Sequence, residues 1–268
     1  MSYLSICAIY RNEAPYLREW VAFHRLMGAE RFYLYDNAST DDHEEALRPF
    51  MDDGSVSVTS WPQSPGQMAA FEDCLRAHRD DSRWIAFIDV DEFLFAPTGE
   101  RVADVLRDFE AHPGVVVNWA VFGTSGHREP ADGLVTESFT RRTDRDAWNR
   151  HTKSIVNPAL VSRFCGPHIF LFGEQTAVDE RGRALVNPKR TWTDEVSFER
   201  LRVNHYVTRS EQEYVAKLAT TAADMGPRGE LTPVQLANRL RALDEVEDLA
   251  IGEHLPQLRE VLARLAAT

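Results

Sequence analysis

Trp84-Ile85-Ala86-Phe87-Ile88-Asp89-Val90-Asp91-Glu92-Phe93 decides the reading of this chain. Five apolar residues in unbroken succession suit a strand buried on both faces, because side chains alternate between faces and neither face meets water. The run ends in three carboxylates within four residues, which repel one another unless a cation neutralises them. A hard divalent cation with oxygen ligands, Mg2+ or Mn2+, is the natural partner and would bridge to phosphate oxygens. Strand alternation predicts that Asp89 and Asp91 point the same way, at the carboxyl edge of the sheet. A bare Asp-x-Asp is a weak signal whose plain alternative is a solvated acidic turn; the buried strand before it favours the metal.

Working toward the N-terminus, residues 3–10 read as a buried strand, and nothing basic precedes their apolar part, so they do not read as a signal peptide. Leu17, Trp20, Val21, His24 and Met27 fall at helical spacing over 14–27, with Gly28 as the stop. Strands are expected at 31–35 and 55–60, a helix between them to about Met51, and a further helix at 67–79. Beyond the central run, 101–111 reads as helix and 115–122 as strand. The alternation βαβαβαβαβ predicts an α/β fold, a mostly parallel sheet flanked by helices with ligands bound at the strands' carboxyl ends. After Phe122 the texture is irregular, with strands at 152–157, 167–172 and 201–207 and helices at 210–224, 232–247 and 254–266. The expected organisation is a domain over 1–209, divided near 122, with a C-terminal helical extension over 210–268 packed on it.

The 268 residues carry 42 acidic against 30 basic side chains, a formal charge of −12. So acidic a chain is a poor binder of nucleic acid, and an anionic substrate needs a local remedy. One candidate is the basic stretch 141–153, with Arg141, Arg142, Arg145, Arg150 and Lys153 against Asp144 and Asp146; it could equally be a lid or a solvated loop. No run of ~18 apolar residues offers a membrane-spanning helix. Three widely spaced cysteines, Cys7, Cys74 and Cys165, form no disulfide framework, which favours a cytoplasmic location, with a peripheral one at the inner membrane face left open.

The ends of the earlier strands carry further polar clusters, Arg11-Asn12-Glu13 and Asp36-Asn37-Ala38-Ser39. Both are expected on the same edge as Asp89 and Asp91, where Asp36 could accept a uracil imide N–H and Asn37 could complete a base pocket. The ordinary alternative is helix capping, by Asn12 for the first helix and Thr40 or Asp41 for the second. Trp148 and Trp192, in polar surroundings, could stack on sugar faces or be half-buried packing residues.

Asn12-Glu13, Tyr35-Asp36-Asn37-Ala38-Ser39-Thr40-Asp41-Asp42 and Ile88-Asp89-Val90-Asp91-Glu92-Phe93 together resemble the GT-A glycosyltransferases, closest to the family-92 and family-2-like group. Gln67 with Asp73-Cys74, Trp119 through His127, Lys153 through Pro158, Pro167-His168 and Asn204-His205-Tyr206 match in order, so the resemblance covers about 3–210. It implies a GT-A (Rossmann-like) fold and a metal-dependent, inverting transfer of a sugar from a nucleotide sugar, a UDP-sugar above all, to a glycan, lipid-linked or other hydroxyl acceptor. Under it, Asp36 contacts uracil, Asp89 touches the ribose or the metal, Asp91 ligates the metal, and His205 completes a shell suited to Mn2+ (or Mg2+). Lys153 faces the diphosphate, and Arg11, Asn12, Glu13, Asn37 and Gln67 line the donor site. The acceptor's general base is sought among Glu129, Glu174 and Asp179, with Glu174 preferred because it follows the apolar stretch 167–172. A haloacid-dehalogenase-type phosphotransferase also uses Asp-x-Asp after a strand, but there that strand usually comes first, and here it is fourth. A binding module that kept the pocket without turnover is the other alternative.

Overall fold

The computed structural model describes residues 1–219 and 231–266, and the backbone at 221–222 and 226–227. The first half follows the expected alternation: β1 (Ser2–Tyr10), α1 (Ala14–Leu26), β2 (Arg31–Asp36), α2 (His43–Asp52), β3 (Val56–Ser60), α3 (Gln67–Ala77) and β4 (Ser82–Phe87). β1 pairs parallel with β2 and β4, and β2 with β3. Their apolar residues sort by parity. Leu4, Ile6, Ala8, Phe32, Leu34, Trp84, Ala86 and Ile88 enter one core with Trp20, Phe23 and Leu47 of the helices. Cys7, Ile9, Tyr33, Tyr35, Ile85 and Phe87 enter a second core with Phe71, Cys74 and Leu75 of α3. Both faces of the sheet are thus covered, as continuous apolar strands demand.

The second half departs from the expected pattern. A short strand absent from the sequence reading, β5 (Glu92–Phe95), follows the acidic turn directly, and 101–111 holds only a short helix, Val102–Val105, and a 3-10 turn, Leu106–Phe109. β6 (Gly114–Val121) does not lie beside β4. The strand Thr152–Val156 inserts antiparallel between them, and β6 pairs parallel with Arg202–His205. The sheet order is β3-β2-β1-β4, Thr152–Val156, β6, Arg202–His205, β5, with Val178–Asp179 alongside β6. Chain length dictates the shape. Phe87 and Glu92 are five residues apart, which reaches at most ~18 Å. Four strand spacings of ~4.8 Å separate their strands, ~19 Å if the sheet were flat. The sheet therefore curls, and its curl brings Glu92, Lys153 and His205 around the turn.

Outside this sheet, Arg163–Gly166 and Ile169–Leu171 form an antiparallel pair where one strand over 167–172 was expected. The helix expected at 210–224 is Glu211–Ala219, and part of its remainder lies outside the described residues. Thr232 and Gln235 form a capping box that starts Pro233–Leu243. The last helix, Leu255–Ala266, packs on α1 and buries Leu258 completely. No helix among the described residues is long and apolar enough to cross a membrane.

Two caps differ from expectation. Asp41 does not cap its own helix: its carboxylate accepts the Ala14 N–H, 2.8 Å away, and so caps α1. Asn12, with φ 55°, instead accepts the Thr40 N–H at 2.7 Å, so the two loops lock each other.

His24 ties α1 to β5. Its Nδ1 meets the Trp20 carbonyl at 2.8 Å, and its Nε2 accepts the Leu94 N–H at 3.1 Å, which fixes one neutral tautomer. Burial pushes its pKa down to about 3. The unfolded chain takes up this proton below about 6.5 and the folded chain does not, so stability is full above that pH and falls as pH drops toward 3. Urea unfolding at pH 7, 6 and 5 is expected to show a loss approaching ~1.4 kcal/mol per pH unit from this group. A His24→Gln variant, less stable at pH 7, is expected to lose that part of the slope.

Candidate functional site

β4 stops at Phe87, and the Glu92 N–H returns to the Asp89 carbonyl at 3.0 Å. Asp89-Val90-Asp91 is therefore a tight turn, not an extension of the strand, and the expected common direction of the two aspartates fails. Asp89 keeps the strand's parity and turns toward α3. Gln67 Nε2 donates to its Oδ1 at 2.6 Å, and Lys153 Nζ donates to its Oδ2 at 2.7 Å. Asp91, past the turn, faces the last strand: its Oδ2 lies 3.5 Å from His205 Nε2 and receives the Lys217 ammonium.

Lys153 and Glu92 sit between these two carboxylates. Lys153 is 1% exposed, and its Nζ is 3.3 Å from Oε2 of Glu92, which is wholly buried. Burial alone would lower the lysine, yet Asp89 and Glu92 hold it above its usual range. Burial pushes the Glu92 carboxyl well up; Lys153 opposes this, and the charges of Asp89 and Asp91 add to it. For Asp91, burial also raises, but Lys217, His205 and Arg209 outweigh it and keep the carboxyl well below its ordinary value. Lys153 thus neutralises acidic neighbours from inside the protein, a correction to its expected place facing a diphosphate.

The basic stretch 141–153 is corrected too. Arg141 donates to the carbonyls of Asp244 and Glu245, Arg142 pairs with Asp248 at 2.6 Å, and Arg145 pairs with Glu245 at 2.8 Å. Arg142 and Arg141 also pair in register with Val246 and Glu247. These arginines tether the C-terminal segment, so they are neither a lid nor a phosphate remedy. The cations nearest Asp91 come instead from residues the sequence reading passed over. Arg209, with φ 49°, is paired with Glu13 at 2.7 Å and laid over the Tyr16 ring at 3.6 Å. Lys217 arrives from the helix Glu211–Ala219. The signal that could have found them is their position just after His205 in an otherwise acidic chain.

The remaining expected residues fall into two groups. Asn37 is buried and donates to the Trp61 and Gln63 carbonyls at 2.7 and 2.6 Å, so it shapes the loop rather than presenting its amide. Asp36 accepts the Ser39 N–H through Oδ1 at 2.9 Å, with His43 Nε2 3.9 Å from its Oδ2. Arg11 is exposed at the end of β1. Glu174 does not join the cluster: it is exposed, two residues after Phe172, whose ring lies against Gly114 at the amino end of β6. Asp179 is bound to Arg181 and to the N–H groups of Arg181 and Arg183. Glu129 is exposed in the loop after β6, on the carboxyl edge, next to the Arg128 carbonyl that accepts the Gln212 N–H. Trp148 lies under Arg239, and Trp192 is half exposed beside His151.

Among the described residues no three His, Cys, Asp or Glu side chains are grouped to hold an ion. The set Asp89, Asp91 and His205 is thus not assembled; Asp91 and His205 alone face each other. Two such ligands fit a Mn2+ or Mg2+ ion that takes its other oxygens from a bound phosphate, since nucleotide-bound Mg2+ is held by one or two carboxylates plus phosphates. The imidazole favours Mn2+. Behind it, His205 Nδ1 and Glu92 Oε1 are buried, lack hydrogen-bond partners and stand 3.9 Å apart, in the place where a carboxylate orients a ligating histidine.

Replacing Lys153 by Met is expected to destabilise the protein by about 3–5 kcal/mol, because it leaves Asp89 and the buried Glu92 carboxyl without the ammonium that both contact. Adding Glu92→Gln is expected to recover much of that loss; urea denaturation of the two variants checks both.

The family model described as glycosyltransferase family 92 matches residues 2–218. A glycosyltransferase family 92 protein of Oryza sativa subsp. japonica is 38% identical over 164 residues, 59% of this chain and 27% of that protein. A galactan beta-1,4-galactosyltransferase of Arabidopsis thaliana is 30% identical over 116 residues, 39% of this chain and 22% of that protein. The chain thus spans under a third of the length of these relatives. A mannosyltransferase from Pyrobaculum calidifontis, solved with GDP-Man and Mn2+, aligns over 99% of this chain and 72% of its own at a TM-score of 0.43 and 14% identity. At that score no residue's role carries across.

Proposed function

This chain belongs to glycosyltransferase family 92, and on that footing we propose that it transfers a hexose from a nucleotide sugar, a UDP-sugar first, to a hydroxyl of a glycan or lipid-linked acceptor. The observation that carries the reading is the pairing of Asp91 with His205 at the end of a buried strand, an arrangement that would suit one divalent cation bound together with a diphosphate. Asp91 and His205 would hold Mn2+ (or Mg2+), which when bound offsets the charge that develops on the leaving diphosphate.

The chain's own residues do the rest. Glu92, 3.9 Å behind His205 Nδ1, is placed to orient the ring with Nε2 toward Asp91. Lys153 and Gln67 hold Asp89 in place for a ribose hydroxyl. Asp36 takes the uracil N–H in a pocket kept open by Asn37, with Arg11, Asn12 and Glu13 on its rim. The donor thus lies across the half 1–122, and the acceptor approaches from the half 123–209. A base must take the acceptor's proton opposite the leaving group. The geometry supports Glu129, on the carboxyl edge, over Glu174 at the other end of β6. Inversion is supported by the Arabidopsis relative, a galactan beta-1,4-galactosyltransferase; forming a β linkage from an α-linked nucleotide sugar inverts the anomeric carbon.

Thermal melting with UDP and Mn2+, separately and together, tests the reading. At ~100 times its dissociation constant a ligand adds ~2.7 kcal/mol, several degrees for a chain of this size. The rise is expected only with both ligands and is expected to vanish with EDTA or in Asp91→Asn. A rise with GDP but not UDP would overturn the role of Asp36. No rise with any nucleotide would overturn the donor site.

A further inference from the structure

Asp91 is 8% exposed, and its Oδ2 is doubly addressed. His205 Nε2 stands 3.5 Å from it, and the Lys217 ammonium, which also reaches the Val207 carbonyl at 3.4 Å, sits on the same oxygen. An ammonium therefore rests on the same Asp91 oxygen that, on the reading above, a metal would share with His205. Two cations surround this carboxylate, and they differ in exposure. Arg209 is buried, pinned between Glu13 and the Tyr16 ring on a left-handed backbone. Lys217 lies on a long stem whose side chain is 38% exposed, near the end of its helix.

We propose that Lys217 is an internal counter-ion: it holds Asp91 until a nucleoside diphosphate arrives, then crosses to the phosphates as the divalent cation takes its place. The proposal rests on the metal–nucleotide reading above and adds an order to it. A divalent cation arriving alone must expel the ammonium and remain beside it and Arg209, so like charges crowd one buried carboxylate. A diphosphate brings the negative charge that accepts both the ion and the displaced ammonium. Metal and nucleotide then bind as a coupled pair, each raising the other's affinity by the same factor. The device keeps the acidic turn neutralised when empty and disfavours occupation by metal alone.

The test is Mn2+ binding by the full chain, read from the free-ion signal in electron paramagnetic resonance, with and without saturating UDP. The wild type is expected to bind Mn2+ at least ten-fold more tightly with UDP than without. Lys217→Met is expected to bind Mn2+ alone at least ten-fold more tightly than the wild type, with the gain from UDP correspondingly smaller. Lys217→Arg, which keeps the charge, is expected to behave as the wild type, and melting curves confirm that both variants fold. Equal Mn2+ affinities for wild type and Lys217→Met without UDP would overturn the counter-ion while leaving the donor site standing, provided UDP still promotes binding. No Mn2+ binding by the wild type even with UDP would overturn the metal reading and this proposal with it.

Discussion

A single ammonium, that of Lys153, holds the centre of this structure. It lies where three pieces of chain remote in sequence converge: the turn after β4, the start of β5, and the inserted strand Thr152–Val156. Without it, Asp89 and the wholly buried Glu92 would face each other at the mouth of a hydrophobic sheet. Buried ion pairs of this kind are weak evidence for stability but strong constraints on arrangement, because removing one partner leaves the other uncompensated. Here the constraint is register. Lys153 reaches the turn because its strand pairs with both β4 and β6.

The curl of the sheet has the same root. Only four residues join β4 to β5, yet three other strands lie between them. The sheet must bend until the two edges approach, and the bend carries His205 on the last long strand to Asp91. The acidic turn thus serves both as the closing link of the fold and as the place where a cation and a phosphate can meet. Its carboxylates are sorted by the turn: Asp89 is held by protein donors, Glu92 is buried behind the histidine, and Asp91 is left facing His205 and Lys217.

Much of this was legible in the sequence, and the limits were physical. Period and apolar content located β1 to β4 and α1 to α3 within a few residues, because local pattern and tertiary burial agree there. The acidic motif and His205 were legible as chemistry that a buried strand does not otherwise need. The insertion of Thr152–Val156 was not, since antiparallel pairing across thirty residues of irregular chain leaves no local signature. For the same reason Lys153 looked like a phosphate ligand rather than a buried counter-ion, and Arg141, Arg142 and Arg145 looked like a basic rim when their partners Asp244, Glu245 and Asp248 lie a hundred residues away. Glu174 was placed by expecting the sheet edge to return after 167–172; that stretch instead closes a separate antiparallel pair near the amino end of β6. Asn12 and Asp41 illustrate the same limit on a small scale, each capping or locking the neighbouring loop rather than its own.

On the proposed reading, a nucleotide sugar is cleaved at the turn Asp89–Asp91. The most direct measurement is release of nucleoside diphosphate from a panel of nucleotide sugars by the wild type, Asp91→Asn and His205→Gln, with Mn2+ or EDTA. Release is expected from at least one UDP-sugar, dependent on the divalent ion and lowered at least a hundred-fold in both variants, about 2.7 kcal/mol of transition-state stabilisation. Release that is indifferent to both substitutions, or none from any nucleotide sugar with acceptors supplied, would contradict it.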